Sequence, residues 1–269
     1  MLLYRETLEA ADVFTGTTHA LVAGAQRLGK NGFVLRNGLN SEQLALADHA
    51  LDLRRQRASQ PIVRIGYLAG TRTHRADFAV CVPALVRLMQ DYPQVRLVLR
   101  GEIDIPAELE LYRPRIELVP SVPWREMLIA CAELDINLAP LEPDSLFTEA
   151  KSALKYFETA LLEIPTVASP TEDFAVSIRH GENGFLASTE SDWYNALEAL
   201  VKDENLRLRL GQAARQDALR TRTPQAQADT TLATYQAIRA GQAPRLTINW
   251  LMVRPDPGSG GARMVIRMA

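Results

Sequence analysis

The sequence predicts an α/β fold: a Rossmann-like parallel sheet with helices on both faces. Three observations predict it. Short apolar runs such as residues 62–68 and 95–99 read as strands buried on both faces. Stretches of about 10–15 residues with helical apolar spacing lie between such runs. Glycine, proline and asparagine turns punctuate the junctions.

Bulk properties suit such a fold. Of 269 residues, 47% are hydrophobic and 23% charged, enough apolar material for a core and an ordinary charged surface. Thirty basic and 32 acidic residues give a net charge of -2, and no basic block marks a nucleic-acid tract, so no nucleic-acid partner is expected. The two cysteines, Cys81 and Cys131, sit in apolar or helical contexts and read as buried free thiols in a reducing compartment. No apolar run approaches the ~20 residues of a membrane span. The amino-terminal stretch carries acids early and lacks a signal-peptide core.

In chain order, residues 11–14 read as a strand, 17–28 as a helix and 33–35 as a second strand closed by the turn dipeptide Asn37-Gly38. This β-α-β fragment cannot cover both sheet faces alone and must lean on other elements. Residues 40–60 read as a polar helix with Leu44, Leu46, Leu51 and Leu53, ending before Pro61. The main domain opens with strand 62–68. A helix follows whose stripe is Phe78, Val82, Leu85 and Met89, with Pro83 kinking or separating its first turn. Further strands are read at 95–99, 116–119, 135–140 and 165–168, with a sixth entered from the turn at 183–186. Helices are expected at 124–132 and from about 151 to 162. Thr189 and Asp192 have capping-box spacing ahead of Trp193, Leu197 and Leu200. Asp203 opens the next helix, with Leu206, Leu210 and Ala214 inward, and residues 225–239 form one more. Residues 246–253, a glycine-rich loop at 255–261 and a helical start at 262 then read as the opening of a further α/β domain. The expected division is therefore 1–40, 41–241 and 242–269.

Two places carry candidate chemistry. The first is the loop Ala69-Gly70-Thr71-Arg72-Thr73-His74, leaving the carboxyl end of the first main strand, where ligands bind in open α/β sheets. Gly70 lets backbone amides approach a phosphate, Thr71 and Thr73 offer hydroxyls, and Arg72 offers a charged fork. The spacing lacks the third glycine of the dinucleotide fingerprint. Without a ligand, this is an ordinary βα turn with a surface arginine. The second is the helix expected from Lys151. Steps of four and three put Lys151, Lys155 and Glu158 on one face, with Leu154, Phe157 and Leu161 turned to the sheet. Two lysines suit a diphosphate, and a carboxylate suits vicinal ribose hydroxyls. Without a ligand, this is a solvated face with a Lys155–Glu158 pair contributing about 0.2–0.5 kcal/mol. Of the four histidines, His19, His49, His74 and His180, none is spaced with another as a zinc pair, so no metal site and no cofactor is expected.

The run Lys155-Tyr156-Phe157-Glu158, continuing through Pro165, Thr166, Val167 and Ala168 to Ser169-Pro170, resembles a segment of the retaining two-lobed (GT-B) glycosyltransferases. It is similar to the donor-binding, C-terminal domain of the family 4, "glycosyl transferases group 1" type. His180-Gly181-Glu182-Asn183-Gly184-Phe185-Leu186 resembles that family's H-G-x-N-G-x-L turn. Asp203, Arg207, Gly211, Ala214 and Arg215 match its D-x-x-x-R-x-x-x-G-x-x-A-R helix. Residues 11–40 resemble the end of the N-terminal lobe and the interlobe stretch. The resemblance covers about residues 10–240.

The resemblance implies transfer of a sugar from a nucleotide-sugar donor to a glycan or lipid-linked acceptor, with retention, in surface polysaccharide synthesis. It implies a cytoplasmic protein, or one peripheral at the inner face of the membrane. It puts Glu158 on the donor ribose and Gly70, Thr71, Arg72, Lys151, Ser152 and Lys155 around the nucleotide-sugar. Glu149 and His74 are the candidate catalytic residues. The family's glutamate pair, seven residues between its members, would put the first acid at position 150, which is Ala150 with Glu149 beside it. The common G-R-x-x-x-x-K-G loop is replaced by Gly70-Thr71-Arg72-Thr73-His74, as in a subgroup resembling polysaccharide and O-antigen transferases. The remaining domains of a larger parent protein are further expected partners. Two other readings use the same residues: a sugar-nucleotide epimerase of the same architecture, and a catalytically degenerate α/β scaffold module.

Overall fold

The structure is a computed structural model that describes residue 8 and residues 10–58, 60–69 and 75–241. The loop 70–74 and the segment 242–269 lie outside the described residues. Gly70, Thr71, Arg72, Thr73 and His74, and the expected third domain, are therefore not located.

The amino-terminal unit is the expected β-α-β fragment: β1 (Val13–Gly16), α1 (His19–Arg27) and β2 (Asn31–Val34), its strands paired in parallel. The first strand begins two residues later than the sequence suggests. Thr18 accepts a hydrogen bond from the Leu21 amide and so starts α1. Asn40 then opens α2 (Ser41–Gln56) with a complete capping box, its side chain accepting from the Gln43 amide at 2.8 Å while Gln43 accepts from the Asn40 amide at 3.0 Å.

The main sheet has six strands, all parallel: β3 (Val63–Ala69), β4 (Val95–Gly101), β5 (Ile116–Val119), β6 (Ile136–Ala139), β7 (Thr166–Ala168) and β8 (Phe185–Leu186). Their order is β5-β4-β3-β6-β7-β8. Successive strands step outward to one edge from β3 to β5. The chain then crosses back to put β6 on the other side of β3. That reversal opens a crevice at the carboxyl ends of β3 and β6.

Alternate residues of the strands feed two cores. One holds Ile65, Tyr67, Leu97, Leu99, Ile136, Leu138 and Val167, packed with α4 (Val82–Asp91) and α9 (Glu190–Lys202). The other holds Leu68, Val98, Ala139 and Ala168, packed with α2, α5 (Trp124–Cys131), α7 (Leu154–Ala160) and α10 (Glu204–Arg222). Helices therefore cover both faces, as the near-continuous apolar strands require. Pro83 sits in the first turn of α4, and Phe78 belongs to a separate short helix, α3 (Arg75–Ala79). α11 (Pro224–Ala240) closes the described chain.

Some local expectations are corrected. Residues 107–115 form a 3-10 helix that the polar sequence does not announce. A four-residue helix, α6 (Leu146–Glu149), occupies what reads as loop. The helix expected from Lys151 begins only at Leu154. Residues 151–153 are held out of it by side chains from elsewhere: the Ala153 amide donates to Asp173 at 2.8 Å, and Asn37 donates to the Ser152 hydroxyl at 2.7 Å. Lys151 is thus not on a helix face with Lys155 and Glu158.

Candidate functional site

The crevice is built on three strand ends. Ser169, just after β7, accepts from the Leu141 amide at 2.9 Å and donates to the Leu141 carbonyl at 3.0 Å. This stitches the loop after β6 to the loop after β7. At the neighbouring end of β4, Gly101 has φ +106, and a Cβ there would overlap the Ala69 carbonyl at the end of β3. Glycine is therefore needed for the two strand ends to stay in register.

Into this crevice the chain sends the two lysines expected from the sequence, from different local structures. The Lys151 ammonium lies 2.6 Å from the Asp77 carboxylate of α3 and 4.7 Å from the centre of the Phe147 ring. Asp77 is only 2% exposed and also accepts from the Glu142 amide at 3.2 Å. Lys155, in the first turn of α7, lays its ammonium 4.4 Å over the Tyr67 ring. Tyr67 in turn stacks on Phe78 at 4.7 Å. The Lys155 nitrogen is buried, and among the described residues it finds no hydrogen-bond partner. Burial pushes its pKa down to about 8, against the opposing pull of Asp77. The solvated Lys155–Glu158 face is thereby ruled out: a solvated ammonium would not lose its water.

Glu158, one turn beyond Lys155, is half-buried and accepts from the Gln43 side chain of α2 at 3.2 Å. The capping box of Asn40 fixes that end of α2, so the segment ahead of α2 positions Glu158 indirectly. Glu149 is half-buried, and its carboxylate accepts from the Glu172 amide at 3.1 Å, at the start of α8 (Glu172–Ser177). Ser152 is tied to Asn37. His180 shares its ring nitrogen with the Leu186 backbone and meets the Phe185 ring edge-on at 5.1 Å, so it braces the turn into β8.

Sequence reasoning missed two acids. One is Asp77, whose signal was available: a carboxylate three residues past the candidate loop, beside the apolar stripe. The other is Asp173, fully buried, which accepts from Arg36 at 2.8 Å, Arg222 at 3.3 Å and the Ala153 amide. Its neighbour Glu172 accepts from Arg36 at 2.8 Å and meets the His19 ring at 2.6 Å. The contacts bind the amino-terminal unit to the main domain, and no local pattern announces them. Among the described residues no group of three or more histidines, cysteines or carboxylates is placed to hold a metal ion. Nor is any helix among them long and apolar enough to cross a membrane.

The family profile described as "Glycosyl transferases group 1" matches residues 62–203, more than half of the chain. The chain belongs to the glycosyl transferases group 1 family. The matched span runs from β3 through α9 and contains Asp77, Lys151, Lys155 and Glu158. Solved structures agree on the GT-B fold. HepE of Anabaena, solved with UDP-glucose, superimposes with a TM-score of 0.63 at 16% identity, over 84% of this chain and 64% of its own. Sucrose-phosphate synthase of Thermosynechococcus elongatus gives 0.63 at 17%, over 90% and 62%. A glycosyltransferase of Rickettsia africae gives 0.62 at 14%, over 87% and 65%. This chain spans less than two thirds of the length of each. No curated protein sequence is similar enough to match.

Proposed function

We propose that the chain is the donor-binding half of a glycosyltransferase that takes a nucleotide-sugar and transfers its sugar, with retention, to a glycan or lipid-linked acceptor. The observation that carries the reading is the Lys155 ammonium: buried in the crevice at the carboxyl ends of β3 and β6, without a hydrogen-bond partner among the described residues. A buried cation without a hydrogen-bond partner is costly, and an anion from outside the chain would complete it. A diphosphate fits, because Lys151 stands on the same crevice. HepE, of the same fold, has been solved with UDP and with UDP-glucose. Glu158 then accepts the ribose hydroxyls, with Gln43 holding its other bond. Glu149 and His74 remain the candidates for work near the transferred sugar. Retention follows from the family resemblance. So does a role in surface polysaccharide synthesis at the cytoplasmic side of the membrane.

Calorimetric titration of UDP and GDP into wild type, Glu158→Ala and Glu158→Gln tests the reading. Hydrogen bonds to a charged group contribute about 1.5–3 kcal/mol, so alanine should weaken binding about tenfold to a hundredfold. Glutamine, which keeps an acceptor, should do less. Unchanged affinity in the alanine variant would remove Glu158 from the ribose. No binding to wild type would remove the donor reading.

A further inference from the structure

Three charged side chains meet at the carboxyl ends of β3 and β6, and two of them are cations. Asp77 is the buried acid among them. It lies 2.6 Å from the Lys151 ammonium. Its other oxygen takes the Glu142 amide, which fastens the carboxylate to the loop after β6. Lys151 is gripped from two sides, by this carboxylate and by the Phe147 ring. An ammonium has three donors, so the Asp77 contact leaves further N–H groups for an incoming anion. Lys155 lies deeper, on the Tyr67 ring, with no hydrogen-bond partner among the described residues.

We propose that Asp77 is the positioning counter-ion of this lysine pair, tethering Lys151 beside the buried Lys155 so that both ammoniums stand ready for the donor's diphosphate. The proposal rests on the donor-binding reading above and adds to it a residue that touches neither sugar nor base. Removing either partner from a buried pair leaves an uncompensated charge, so Asp77 cannot be a bystander.

Among the described residues, the groups facing Lys155 differ in sign. Burial lowers its pKa most, Asp77 raises it, Lys151 lowers it, and Cys81 and Glu158 raise it less. Cys81 and Tyr67 are themselves driven toward their neutral forms by burial. The leading support for a charged Lys155 is therefore Asp77, and the leading electrostatic opposition is Lys151. The two substitutions that disturb this arrangement should act in opposite directions.

The test is an NMR titration of the Lys155 side chain in the full chain without nucleotide, in wild type, Asp77→Asn and Lys151→Gln, followed by UDP and pyrophosphate titrations of each. Asparagine keeps the shape and the acceptor for the Glu142 amide. It should lower the Lys155 midpoint, whereas Lys151→Gln should raise it. A lysine must be charged to hold a diphosphate, so affinity is full below its midpoint and lost above it. In Asp77→Asn the affinity for UDP should therefore fall about tenfold between about pH 6.5 and pH 8, a steeper loss than in wild type. Loosened packing would move both midpoints the same way, so shifts of one sign, or none, in folded variants would overturn the proposal. Opposed shifts in a wild type that binds neither UDP nor pyrophosphate would overturn the donor reading while still supporting the counter-ion role of Asp77.

Discussion

Cys81 and Cys131 show how far burial alone sets the chemistry of a residue here. Both are free and fully enclosed, Cys81 donating to the Phe78 carbonyl at 3.3 Å. Burial pushes the Cys131 thiol up to about 12 and raises Cys81 as well. The thiolate is the reactive form, so neither should react with iodoacetamide at about pH 8 in the folded protein, and both should react in denaturant. Rapid native labelling at either position, read by mass spectrometry, would contradict their placement. The same comparison separates what the sequence shows of the site from what it hides. Lys151, Lys155 and Glu158 could be singled out because their residue types lie close together in the chain, but the shared helix face read for them fails at Lys151, which lies ahead of α7. Asp77 was visible as a carboxylate just past the candidate loop, but neither its partner nor that of Asp173 was, because those partners lie 74 and 137 positions away in the chain. Only the fold brings a carboxylate in α3 to a lysine after α6.

Elements were legible where a start signal and an apolar stripe coincide. Thr189 accepts from the Asp192 amide at 3.2 Å and Asp192 accepts from the Thr189 amide at 2.9 Å, and α9 begins where that spacing says it should. α7 was misread because residues 151–153 look helical and are pulled away by Asn37 and Asp173. The helix motif of α10 has a plain physical basis. Arg207 donates to the Leu200 carbonyl at 2.6 Å, and Arg215 donates to the Leu161 carbonyl at 3.1 Å. Between them Gly211 rests against the backbone of Glu163, and a Cβ there would overlap the Glu163 carbonyl oxygen. Glu163 itself has φ 57, so this turn into β7 has little freedom to retreat. Gly211→Ala should therefore lower stability by about 1–3 kcal/mol in urea denaturation, through overpacking. A midpoint equal to wild type would show that α10 can lift off without cost.

Across the whole molecule, Asp173 joins three stretches of chain. It holds Arg36 after β2, Arg222 at the end of α10 and the Ala153 amide ahead of α7. Arg222 is itself buried and also donates to the Ser177 hydroxyl at 2.9 Å and the Asn37 carbonyl at 3.2 Å. The two guanidiniums would be left facing one another without this carboxylate. Asp173→Ala should cost about 3–5 kcal/mol in equilibrium unfolding, a loss typical of a broken buried charge network. A loss below about 1 kcal/mol, the range of a surface ion pair, would mean that the amino-terminal unit is not anchored there. The parallel sheet with helices on both faces was readable from alternation alone. The order of its strands was not, since which neighbour a buried strand takes depends on crossovers that leave no mark in a local window.

On the donor-binding proposal, a nucleoside diphosphate binds in the crevice at the carboxyl ends of β3, β6 and β7. Hydrogen exchange of the full chain with and without UDP and GDP tests it most directly, because it locates the ligand without requiring turnover. Slowed exchange is expected in residues 75–79 and 141–160, around Asp77, Lys151, Lys155 and Glu158. Protection that instead gathers at the opposite end of the sheet, near Arg54, Arg57 and Arg64, would contradict it, as would no protection at saturating nucleotide.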